Sequence, residues 1–163
     1  MKIKIINFIG FQVCWFACVF GGTLWAAPLV TLYMLIHTRF ANGYEWRLMT
    51  AISLIGIAID MLWHTLGLTA FPDTQSPLIP IWLMLLWLAF SATMLHSLNH
   101  FFTRPWLIGL LSMVSAPLSY FAGTRAGAIE ITNQGYIAIA LEWGVLMFLA
   151  ALLHQKYHSR LST

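Results

Sequence analysis

Asp60 and Glu142 are two carboxylates that fall deep inside long apolar runs, Leu48 to Leu68 and Gly135 to His154. An ionisable group in hydrocarbon costs at least ~2.5 kcal/mol near the bilayer centre, so each is a candidate for function by default. At ~1.5 Å per residue, both lie roughly 3–4 Å from the middle of their runs, toward the same side of the membrane. Two carboxylates close together at that depth could hold one proton between them. His64 follows Asp60 by four residues and shares its helix face, with Cβ atoms ~6 Å apart. Arg125 stands at the outer end of another apolar run, within reach of either acid. One reading joins Asp60, His64, Arg125 and Glu142 in an outward-facing polar pocket. The other makes them interhelical hydrogen bonds worth about 1 kcal/mol each. Shared depth says nothing about rotation around each helix, and both readings stay open.

Other chemistry is sparser. His96, Asn99 and His100 recur at helical spacing, and His96 with His100 is half of a metal-ligand pattern. His96 lies about 7 Å inward of the midplane and His100 about 13 Å, while His64 lies about 9 Å outward, so one ion cannot join them. No metal site is assigned, and Asn99 and His100 are read as meeting headgroups beside Arg104. Cys14 and Cys18 are four residues apart, which is neither a redox motif nor a zinc motif. Gln12 is placed near mid-span as an interhelical hydrogen-bonding group. Ser112, Ser115 and Ser119 with Pro117 read as a kinked, closely packed helix. No hydrolase elbow, zinc-protease motif or phosphate loop occurs, and no cofactor is expected.

The elements that must carry these residues follow from composition. The chain has 163 residues, 60% hydrophobic and 8% charged, against roughly 25% charged in soluble domains. That excludes a water-facing globular surface. The net charge of +3 comes from basic residues scattered around apolar runs, which argues against nucleic acid as a partner. Six apolar segments approach the ~20 residues a ~30 Å hydrocarbon core requires: Ile5 to Gly21, Thr23 to His37, Leu48 to Leu68, Pro80 to Phe102, Pro105 to Ala122 and Gly135 to His154. The expected fold is therefore all-α, a single integral membrane domain (1–163) built as a polytopic bundle of six transmembrane helices. Gly21-Gly22 is read as a tight break between the first two. A five-helix alternative merges those segments and strands Gly22 and Pro28 mid-span. The first segment is taken as retained, because Leu24 spoils the small-residue spacing of a signal cleavage site. The connection from Thr69 to Ile79 is expected to be structureless. With both termini cytoplasmic, Lys2, Lys4, Arg39, Arg47, Arg104, Lys156 and Arg160 fall inside and Arg125 outside, as the positive-inside rule requires.

Three stretches carry a resemblance: Asn7 to Phe16 (NFIGFQVCWF), Pro80 to Leu98 (PIWLMLLWLAFSATMLHSL) and Ala116 to Ile129 (APLSYFAGTRAGAI). They resemble a bacterial inner-membrane family of unknown function, domain of unknown function 2878. Ala116 departs from the glycine expected there. The resemblance implies a multi-pass protein of the bacterial inner (cytoplasmic) membrane, in a setting of fatty-acid modification and light or oxidative stress. It also directs attention to Tyr120 and Arg125, where a hydroxyl and a guanidinium can meet an anionic headgroup. Three functions remain: a lipid-handling accessory whose pocket uses Asp60, His64, Tyr120, Arg125 and Glu142; a small proton-coupled carrier; and an assembly subunit without a ligand. Expected partners are the lipid bilayer, a membrane or peripheral protein, and a second copy in a homodimer.

Overall fold

The computed structural model describes residues 2–72 and 76–161, with side chains as far as Tyr157. Residues 73–75 of the long loop, and the side chains of Lys2 and Arg160, lie outside what is described.

The first helix, α1 (Lys2–His37), contains a residue with non-helical backbone angles, Gly22 (φ 55, ψ −154). A continuous helix would hold Asn7 and Tyr33 about 39 Å apart. Instead Asn7 Nδ2 donates to Tyr33 Oη at 2.8 Å, so α1 folds back on itself as a hairpin of two antiparallel arms. The positive φ is one that glycine adopts without a Cβ penalty, and the expected break at Gly21-Gly22 is borne out there. Asn7 uses its whole amide: Nδ2 also reaches Ala92 O at 3.0 Å, and Oδ1 accepts from Ser97 Oγ at 2.8 Å. Asn7→Ala leaves buried Ala92 O and part-buried Ser97 Oγ without these bonds, while Tyr33 Oη keeps the Asn7 main-chain oxygen. A loss of about 1–3 kcal/mol is therefore expected, measured by unfolding in detergent.

The second helix, α2 (Gly43–Thr65), starts earlier than the apolar run at Leu48. Asn42 Oδ1 accepts the backbone N–H of Tyr44 and Glu45, and this N-cap carries the helix through its polar first turn. α2 ends in a Schellman turn, with Leu68 N bonded to Trp63 O and Gly67 N to His64 O at a left-handed Gly67 (φ 70). The helix α5 (Pro105–Arg125) ends the same way at Gly127 (φ 77), with Ala128 N on Gly123 O and Gly127 N on Thr124 O. The two matched turns aim their chains at each other. β1 (Thr69–Ala70) and β2 (Glu130–Ile131) pair antiparallel, Thr69 opposite Ile131. The 69–79 loop therefore begins with paired strand, a correction to its expected lack of structure.

The fourth apolar segment is also corrected. α3 (Ile81–Ser91) stops eleven residues before Phe102, and α4 (Asn99–Phe102) is a single turn. Between them Ser91 Oγ and Thr93 Oγ1 bond back to Leu88 O and Phe90 O. Such side chains compete with the helical ladder, and a series of tight turns replaces it. α6 (Asn133–Leu161) completes the bundle. Against α5 it packs closely, an added Cβ at Gly109 falling 3.1 Å from Gly144 O, the small-residue contact common between membrane helices.

Two facts mark this as a membrane-type bundle. α1, α2, α5 and α6 each contain a stretch long and apolar enough to cross a bilayer. The surface is inside-out: Leu24 is 82% exposed and Leu153 67%, while Asp60 is 2% exposed. Asn7, His37, the 92–98 turns and His154 gather at one end, linked by Asn7–Ser97, His96–Glu45 and Tyr44–His154 contacts. The β1–β2 pair lies at the other.

Candidate functional site

Ser53, Gly56 and Asp60 stand at i, i+3 and i+7 on α2 and form one buried stripe. Ser53 Oγ donates to Ser91 Oγ at 3.0 Å. Trp87 from α3 lies across Gly56, where any Cβ would collide with its six-membered ring. That placement brings Trp87 Nε1 to Asp60 Oδ2 at 2.6 Å. Tyr120 Oη, from α5, donates to the same carboxylate at 2.9 Å. One acid thus ties three helices. Trp143 from α6 stacks on Trp87, centroids 4.7 Å apart at 20°. Its neighbour Glu142 accepts Trp63 Nε1 through Oε2 at 2.7 Å, while buried Oε1 has no hydrogen-bond partner among the described residues. Asp60 and Tyr120 are therefore brought into direct contact, and Glu142 is tied to α2 three residues further along through Trp63.

The other two expected members go elsewhere. His64 turns to the loop, Nδ1 near Thr69 O at 3.1 Å and Nε2 near Ser76 O at 3.2 Å. Arg125 is exposed at the end of α5, and no ion pair joins it to Asp60 or Glu142 among the described residues. The expected four-residue pocket is replaced by an acid held by an indole and a phenol.

In front of Trp87 and Tyr120 opens a cavity of about 620 Å³, walled by the first arm of α1, by α3 with its following turns, and by α5. That is within the ~300–1,000 Å³ of small-molecule sites. Its lining is mainly aromatic and aliphatic, with Gln12, Ser112, Ser115 and Ser119 as polar points. Trp15 Nε1 crosses from α1 to Ser119 Oγ at 3.0 Å. Phe8, Phe16 and Leu111 line the cavity and are also exposed on the bundle's outer surface, so the cavity opens sideways between α1 and α5. Asp60 does not line it; the acid fixes the wall from behind.

A family model described as "Protein of unknown function (DUF2878)" matches residues 4–149. The chain belongs to this family. Within this DUF2878 protein the three stretches that carry the resemblance, 7–16, 80–98 and 116–129, converge on the cavity and supply most of its lining. No curated protein and no solved structure matches the chain.

Sequence reasoning missed Trp63 and Trp87 as partners of the acids, and Trp143 as the ring stacked on Trp87. The available signal was Gly56 one turn before Asp60, a gap sized for a ring. It also missed His37 and Glu45, which meet His96 at the end of the bundle opposite β1–β2. His96 lies in the turns beyond α3, and burial holds its imidazole below the ordinary value, with the Glu45 carboxylate pulling the other way.

Proposed function

We propose that this protein binds a membrane-dissolved apolar ligand, an acyl chain, in the cleft between α1, α3 and α5, as a lipid-handling component of the bacterial inner membrane. The observation that carries this reading is a largely apolar cavity of about 620 Å³ whose mouth is flanked by exposed Phe8, Phe16 and Leu111. In a bilayer the molecules that reach such a mouth at highest concentration are lipid chains. Gln12 and the α5 hydroxyls offer points for a carboxyl or ester group. The reading takes the end bearing Lys4, Arg39, Arg47, Arg104 and Lys156 as cytoplasmic, on the excess of positive charge there. A proton-coupled carrier has less support, because Asp60 receives hydrogen bonds from two wall residues and does not face the cavity.

Four tryptophans, Trp15, Trp82, Trp87 and Trp143, line the cleft, so occupancy is readable by fluorescence. Titrating the detergent-purified protein with dibrominated stearate is expected to give saturable quenching. Ser115→Phe, which puts a ring into the cleft, is expected to weaken binding about tenfold, or 1.4 kcal/mol. Val114→Phe, on the neighbouring lipid-facing position, is expected to leave it unchanged. Non-saturating quenching, or equal effects of the two variants, would overturn the reading.

A further inference from the structure

His37, Glu45 and His96 come from three separate places: the end of the second arm of α1, the first turn of α2, and the turns after α3. Each is fixed by its backbone. His37 O accepts from Phe40 N and Ala41 N as the chain leaves α1, and His96 N is bonded to Thr93 O. The Asn42 cap holds Glu45 N at 2.9 Å. Their side chains then converge. His37 Nε2 lies 3.2 Å from Glu45 Oε1, and His96 Nε2 lies 3.0 Å from the same oxygen. All three donor atoms fall within 4.8 Å of one another. The side chains of His37 and Glu45 are 3% and 5% exposed, and that of His96 15%.

Among the described residues none of the three atoms meets hydrogen-bond geometry with a partner, and the two histidine nitrogens stand only at ion-pair distance from the Glu45 oxygen. Buried polar groups are nearly always hydrogen-bonded, so three such atoms facing one another in one small space require an explanation. A shared cation supplies it. Donors bound to one ion at ~2.0–2.2 Å sit roughly 2.8–3.6 Å apart for bond angles of about 90–109°, a range that contains both nitrogen–oxygen separations. The rings of His37 and His96 meet edge to face, centroids 5.0 Å apart, with both Nε2 atoms near the same Glu45 oxygen.

We propose that His37, Glu45 and His96 form a binding site for a divalent first-row transition metal ion. Two imidazoles and one carboxylate suit zinc or iron(II) and do not suit calcium or magnesium, which require mostly oxygen ligands. Three protein ligands leave the remaining coordination to water or to a substrate atom, as in catalytic rather than structural sites. The ion would also clamp the α1 hairpin to α2 and to the turns that supply Thr93 and Ser97 to the cavity wall. This assignment departs from the sequence expectation of no metal. It is independent of the acyl-chain reading.

The test uses the full-length protein in detergent, stripped with chelator and reloaded with zinc or cobalt(II). Elemental analysis after desalting is expected to give one ion per chain, and cobalt is expected to show visible d–d bands of a low-symmetry N/O site. Loss of an outer-shell partner alone costs ~10–100-fold in metal affinity, so His37→Ala, His96→Ala and Glu45→Gln are each expected to weaken zinc binding by more than about 100-fold. Glu45→Gln keeps the volume and removes the charge, which separates ligand loss from misfolding. His100→Ala, exposed four residues further along, is expected to bind as the unaltered protein does. Failure of the unaltered protein to retain zinc or cobalt, or retention unchanged by Glu45→Gln and His96→Ala, would overturn the proposal.

Discussion

Asp60→Ala is expected to destabilise the bundle by about 2–5 kcal/mol, read as a shift in equilibrium unfolding in mixed detergent. The change removes no large volume, so the effect must come from the partners left behind. Trp87 Nε1 at 2.6 Å and Tyr120 Oη at 2.9 Å both lose their acceptor. A buried donor left without a partner costs about 1–3 kcal/mol. Hydrogen bonds between membrane helices average only ~0.6 kcal/mol, but two orphaned donors in one dry core exceed that average. Asp60→Asn keeps one acceptor and is expected to lose less than Asp60→Ala. A double-mutant cycle with Trp87→Phe isolates the contact: the loss from Asp60→Ala is expected to shrink by at least about 1 kcal/mol once the indole N–H is gone. An Asp60→Ala protein within about 0.5 kcal/mol of the original would show that the carboxylate ties nothing.

How far the sequence carried this far depends on which physical signal was involved. Hydropathy located the long apolar segments, because a lipid-facing helix must be apolar along its length. The Gly22 reversal was legible because two adjacent glycines stood between two apolar runs. The end of α3 was not legible, since Ser91 and Thr93 sit in an otherwise apolar run and act through local bonds to Leu88 and Phe90 that hydropathy does not register. Among the acids, depth was legible and rotation was not. Asp60 and Tyr120 meet, whereas His64, on the same face of α2, is drawn off by loop carbonyls at Thr69 and Ser76. His37 and Glu45 were hidden for another reason. They flank a connection, where polar residues ordinarily meet water, and only the folded hairpin turns both inward toward His96.

Gly56→Ala carries the second large expected effect, and it joins stability to the cavity. In an exposed helix the change would be favourable by up to ~1 kcal/mol, from propensity alone. Here the new methyl collides with the Trp87 ring, and overpacking a filled site costs about 1–3 kcal/mol. The ring cannot move freely, because Asp60 holds its N–H and Trp143 stacks on it. A net loss of about 1–3 kcal/mol is therefore expected. Part of it should vanish in an Asp60→Asn background, where Trp87 is held less firmly. Trp87 lines the cavity, so displacing it should also change the dibrominated-stearate titration, weakening binding in Gly56→Ala while the lipid-facing control Leu54→Ala leaves it intact. A Gly56→Ala protein that gains stability would mean that Trp87 does not rest on α2, and the account of how Asp60 shapes the wall would fall with it.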